Sequence, residues 1–117
     1  MNSLFEHDFP QRLAERMQRP LPGRPAQSRF EPAMSYGRHF APPPPGARHA
    51  AVMALLYPHE GVWHMPLTVR PTTMTDHAGQ VSLPGGLIEP GESTSEAALR
   101  ELSEELGVDD PQLELLG

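Results

Sequence analysis

The chain has 117 residues with a formal net charge of −6, 38% apolar residues, 15 prolines, 10 glycines and no cysteine. That length holds one small domain, and the proline and glycine content leaves it a small core. The absence of cysteine excludes disulfides and thiolate metal sites, and the longest apolar run, the eight residues Ala50 to Tyr57, falls far short of the ~20 that a membrane-spanning helix needs.

The first residues carry acids where a secretory leader carries bases, so a cytoplasmic location is expected. Seven of the nine arginines precede residue 50, whereas nine of the fifteen acids lie between Glu89 and Glu114, where Arg100 is the lone base. The arginines are scattered among prolines rather than clustered, which argues against a nucleic-acid surface. The acidic stretch is dense enough to attract cations.

In chain order, Phe9 to Gln18 is expected as a short amphipathic helix that stops before Pro20. Leu21 to Arg48, with Pro22, Pro25, Pro32 and Pro42 to Pro45, favours extended or polyproline backbone, so residues 1–47 read as a helix and a Pro/Arg-rich arm. Phe30, Tyr36 and Phe40 would give an ordered arm docking points. Ala50 to Tyr57 and Val62 to Arg70 are predicted strands joined in a hairpin by Pro58-His59-Glu60-Gly61, with Trp63 and Met65 in its core. Thr72 to Gln80 follows as a loop, with His77 a loop hydrogen-bonder, then a short strand Val81 to Leu83. Pro84-Gly85-Gly86 is predicted as a break needing unusual dihedrals.

Ser93-Thr94-Ser95-Glu96 fits a capping box and Gly107 a left-handed C-terminal cap, which predicts a helix from Thr94 to Leu106. Its buried stripe is expected to be Ala98, Leu99, Leu102 and Leu106. Gln112 to Leu116 reads as the start of a further strand.

Glu101, Glu104 and Glu105 gather on a second helix face at i, i+3 and i+4 spacing, where like charges repel unless a cation neutralises them. Such carboxylates suit Mg²⁺, which retains waters and bridges to phosphates. Arg100, on the side away from the core, is placed to pair with Glu96 or Glu104. Glu92 lies just before the helix, favoured by its dipole, where it braces the loop and orients Arg100. Gly85 and Gly86 let the backbone approach a metal or offer an N–H to a phosphate.

As a string, Gly86 to Val108 fits GX5EX7REUXEEXGU, where U is a bulky aliphatic, with Gly86, Glu92, Arg100, Glu101, Leu102, Glu104, Glu105, Gly107 and Val108 at the specified places. The segment therefore resembles the Nudix box. The resemblance implies an α/β fold of the Nudix type, an α/β/α sandwich, over residues 48–117, of which this chain would carry the N-terminal portion. It implies hydrolysis of a nucleoside diphosphate derivative, with Glu101, Glu104 and Glu105 as metal-binding and catalytic acids beside Arg100 and with Mg²⁺, or Mn²⁺ in its place, as cofactor. Upstream, Pro66 to Arg70 and His77 to Gly86 look like the extra motif of coenzyme A pyrophosphatases, with Thr75 and Leu83 standing where that motif has Arg and Phe. By that likeness Arg70, with Gly85 and Gly86, would hold substrate.

Since domains of this family continue for more strands and a second helix, the chain is expected to be marginally folded and weakly active. The partner implied is a small nucleotide, with dinucleotides, nucleotide sugars and capped RNA as other substrates. The alternative is a non-catalytic nucleotide-binding or interaction module.

Overall fold

The computed structural model describes residues 8–31, 42–75 and 78–117; Tyr36, Phe40 and His77 lie outside them. The chain divides into two compact units, one built on Arg48–Leu113 and the other on Glu6–Ala47 with Glu114–Gly117. In the second unit, helix α1 (Phe9–Met17) is followed by a single-turn helix α2 (Arg24–Gln27) and a 3₁₀ turn, Ser28–Phe30. Extended backbone was expected over Arg24 to Phe30. Pro25 instead sits in the first turn of α2, where its fixed φ and missing N–H cost nothing. Phe30 is exposed.

The other unit mixes short strands with one helix, as an α/β chain should. Strand β1 (Ala50–Val52) pairs antiparallel with β6 (Gly85–Leu87), β2 (Tyr57–His59) with β3 (Val62–His64), and β4 (Thr68–Val69) with β5 (Val81–Ser82). Among the described residues these are three separate two-stranded ladders. The strands differ from the sequence expectations in four respects. The hairpin is confined to β2–β3, because Glu60 and Gly61 alone form its turn, with φ of 47° and 75°. The Gly85-Gly86 pair is no break: it lies in a strand with neither glycine at positive φ. The segment from Gln112 to Leu116 forms no strand, Trp63 is half-buried and Met65 is exposed.

Helix α3 spans Thr94–Leu106 as predicted, with both halves of the capping box present. Ser93 Oγ accepts from the Glu96 N–H at 3.2 Å, and the Glu96 carboxylate accepts from the Ser93 N–H at 2.7 Å. At the far end Gly107, with φ 66°, donates to the Ser103 carbonyl. The buried residues of α3 are Ala97, Ala98 and Leu102. Leu99 is 38% exposed and Leu106 half-buried, so the expected stripe is corrected: the packed face is turned toward Ala97 and Glu101. A helix advances about 100° per residue, which puts Ala97, Ala98, Glu101, Leu102 and Glu105 on one side. That side rests on β1 and β6, with Ala51, Ala97 and Ala98 as the core cluster and Met53 and Ile88 packed on it. No helix among the described residues is long and apolar enough to cross a membrane.

Replacing Ser93 by Ala is expected to lower stability by about 1 kcal/mol in urea unfolding, the usual worth of such a cap. Hydrogen bonds from Ser93, the hydroxyl first and the backbone N–H second, hold Glu96 below the ordinary carboxylate pKa. A native pKa that is lowered adds stability fully present above the unfolded value of about 4.3 and lost as pH falls through the native one. Unfolding followed from pH 6 to pH 3 should show that acid loss, and Glu96→Gln should flatten it.

Candidate functional site

The site grows from the place where α3 meets β6. A Cβ on Gly85 would overlap the Ala51 carbonyl and lie 2.8 Å from Val52 Cα; one on Gly86 would overlap the Glu101 carboxylate. Gly85 is therefore required by close approach of backbone, whereas at Gly86 the close neighbour is a side-chain end; neither needs dihedral freedom. The approach leaves the Gly85 N–H facing the helix, where the Glu105 carboxylate accepts from it at 2.9 Å.

The loop into α3 is shaped by Glu89-Pro90-Gly91-Glu92, with the Glu92 N–H donating to the Glu89 carbonyl at 3.0 Å and Gly91 at φ 83°. Proline followed by a positive-φ glycine suits a type II turn. Glu92 Oε2 closes the turn by accepting from the Glu89 N–H at 3.0 Å.

Arg100 ties this loop to the helix. Its Nε and Nη2 donate to the two Glu92 oxygens at 2.9 and 3.1 Å, and Nη1 donates to Glu101 at 2.8 Å and to Glu104 at 3.4 Å. Nη2 also reaches the Leu87 carbonyl at 3.0 Å. The expectation for Arg100 is thus corrected in one respect: Glu96 is engaged by its own cap, and Glu92 and Glu101 are the main partners. The guanidinium is held in its charged form by hydrogen bonds to Glu92 first and Glu101 second. Glu92 is held well ionised, chiefly by Arg100 and then by the Glu89 N–H.

The structure brings together Gly85, Gly86, Glu92, Arg100, Glu101, Glu104 and Glu105. Four carboxylates against one guanidinium leave three formal negative charges on this face. Glu92 and Glu101 are mostly enclosed, whereas the Glu104 side chain is 58% exposed. Arg70 lies one residue beyond β4, on a different ladder, where its N–H bonds the Gln80 carbonyl and its carbonyl takes the Gly79 N–H, both at 2.9 Å. Sequence reasoning missed Leu87, whose carbonyl braces Arg100, and Ala97, one turn before Glu101, whose small side chain is in the core cluster with Ala51.

Among the described residues no three acidic or imidazole side chains converge closely enough to enclose an ion. The donor set is nevertheless all carboxylate oxygen, the type a hard divalent ion takes. The space that a Cβ at Gly86 would fill is where the Glu101 carboxylate lies.

Comparison with known proteins gives the NUDIX domain model, matched over residues 47–117. The chain is 47% identical over 51 residues to Nudix hydrolase 3 of Caenorhabditis elegans, covering 44% of this chain and 21% of that protein. It is 38% identical over 78 residues to an uncharacterized Nudix hydrolase NudL of Klebsiella aerogenes, covering 64% of this chain and 62% of that one. A NudL of Photorhabdus laumondii is 38% identical over 82 residues, covering 65% and 43%. The chain thus spans less than two thirds of the length of these relatives. No solved structure matches.

The two glycines should respond differently to alanine. At Gly85 the obstacle is backbone, so Gly85→Ala is expected to destabilise by about 1–3 kcal/mol. At Gly86 it is the end of a flexible side chain, so Gly86→Ala should cost less than about 1 kcal/mol while displacing Glu101. Urea unfolding of the two variants side by side measures the contrast.

Proposed function

The chain belongs to the Nudix family, and from that premise we propose that it is a pyrophosphohydrolase cleaving the diphosphate bond of a nucleoside diphosphate derivative. The observation that carries this reading is the acidic face itself: Glu92, Glu101 and Glu104 gathered on Arg100, with Glu105 on the N–H of Gly85. Glu101, Glu104 and Glu105 would hold Mg²⁺, or Mn²⁺ in its place. A divalent ion bound there would neutralise charge developing on the phosphate oxygens and lower the pKa of water.

In this reading a water oxygen attacks one phosphorus, the bridging P–O bond breaks, and two phosphate monoesters leave. A carboxylate of the acidic face takes the proton that the water releases. Arg100 acts by position: with Glu92 and the Leu87 carbonyl it fixes the loop and the Glu101 carboxylate relative to each other. Arg70 is proposed to hold a substrate phosphate, with Gly85 and Gly86 lining the path of the substrate. The substrate proposed is coenzyme A or a similar derivative, on the likeness of Pro66–Arg70 and His77–Gly86 to that group's motif. The same reading places β1–β6 and α3 in an α/β/α sandwich, in a cytoplasmic enzyme.

Purified protein incubated with Mg²⁺ and a panel of coenzyme A, dinucleotides and nucleotide sugars is expected to release phosphate monoesters identifiable by mass. Glu104→Gln and Glu105→Gln should each lower that turnover at least ~100-fold, in the range of losing a group that stabilises the transition state. Full activity in both variants would overturn the reading. Nucleotide binding without product would favour a non-catalytic module instead.

A further inference from the structure

The hairpin β2–β3 carries a cluster that the acidic face does not use. Its turn residues Glu60 and Gly61 both have positive φ, the type I′ arrangement that suits a two-residue hairpin. The turn pins the register Tyr57↔His64, Pro58↔Trp63 and His59↔Val62. Because side chains alternate along a strand, Tyr57, His59, Val62 and His64 share one face.

On that face His59 and His64 are diagonal neighbours, a relation within reach of ring side chains. Their imidazole centroids are 5.7 Å apart with planes at 73°. Tyr57 stacks on His64 at 5.6 Å and 25°, which limits the positions open to that ring. The His59 side chain is 64% exposed.

We propose that His59 and His64 form a two-imidazole site for a borderline divalent transition ion, Zn²⁺ or Ni²⁺. A metal–nitrogen bond is about 2.0–2.1 Å and a ring centroid lies about 1.1 Å behind its donor atom, so two imidazoles on a tetrahedral ion have centroids about 5.2 Å apart. The observed centroid separation of 5.7 Å is within about half an ångström of this. Imidazole nitrogen selects Zn²⁺, Ni²⁺ or Cu²⁺, whereas carboxylate oxygen suits Mg²⁺, so the hairpin and the acidic face take different ions. Glu60 Oε1 lies 3.9 Å from His59 Nε2 and adds negative charge beside the site. No third acidic or imidazole side chain completes it among the described residues, so water fills the other positions. An ion bound across the two strands would clip together a hairpin of a kind that is marginal in water by itself. The inference does not rest on the hydrolase reading.

The test is a Zn²⁺ titration of the full chain, followed by the imidazole NMR signals, with excess Mg²⁺ present throughout to saturate carboxylate sites. The His59 and His64 signals should shift together to saturation, and amide exchange from Tyr57 to His64 should slow. His59→Ala and His64→Ala should each weaken binding at least ~10-fold, since losing even a group that only orients a metal ligand costs ~10–100-fold, while His49→Ala leaves it unchanged. His59→Gln, which keeps a side chain of similar length on the strand, should show the same loss. Its backbone amide spectrum reports whether the hairpin is retained. Wild-type affinity in any of the three hairpin variants, or unmoved His59 and His64 signals at saturating Zn²⁺, would overturn the proposal.

Discussion

Everything in the larger unit depends on how closely α3 can lie on the β1–β6 ladder. The contact is made by small side chains: Ala97 and Ala98 from the helix, Ala51 from β1, and two glycines from β6. Side chains on both surfaces of an ordinary contact hold helix and strand apart, and here most of that thickness is missing. Two consequences follow from the one constraint. The Gly85 N–H comes within hydrogen-bonding distance of Glu105, and the Glu101 carboxylate occupies the space above Gly86. Glu101 and Glu105, one and two turns beyond Ala97, are thereby set over backbone rather than over a hydrophobic surface.

That placement carries an electrostatic cost, because carboxylates one turn apart on a helix repel. Arg100 offsets part of it and adds geometry. An exposed ion pair is ordinarily worth little, about 0–1 kcal/mol. Arg100 differs from a solitary surface pair in being 25% exposed and in engaging three carboxylates and a carbonyl at once. Its contact with Glu92 is two-pronged, a geometry suited to a planar guanidinium and unavailable to lysine. The result links the Leu87–Glu92 loop to the middle of α3, so that the acids and the loop keep one relative position.

Where local chemistry decides a feature, the sequence is enough to read it. The bounds of α3 follow from Ser93, Glu96 and Gly107, each of which acts within a turn of itself, and the spacing of Glu92, Arg100, Glu101, Glu104 and Glu105 is a linear pattern. Pairing between distant strands is different. Ala50 to Tyr57 looks like one apolar strand, and nothing within it says that Ala50 to Val52 pairs with Gly85 to Leu87 some 35 residues later. The glycine pair is ambiguous for the same reason: glycine signals either a special dihedral or a close neighbour, and only the tertiary contact with Ala51 and Glu101 distinguishes them. The helix stripe also shifted because hydrophobicity alone ranks Leu99 above Ala97, whereas a glycine-lined partner admits the smaller residue.

The burial pattern then explains which devices matter for stability. The buried apolar residues among those described are three alanines, Leu102 and Pro84. Full burial of a leucine contributes about 1.5–3 kcal/mol, and a methyl much less. Large apolar side chains such as Val62, Val69 and Val81 on the other ladders remain exposed. With so little area removed from water, local features carry an unusual share of the order. These include the capping box at Ser93, the left-handed Gly107, the turn at Pro90-Gly91 and the I′ turn at Glu60-Gly61. Each restricts the backbone without needing a large core, which is how a short chain rich in proline and glycine still presents an ordered acidic face.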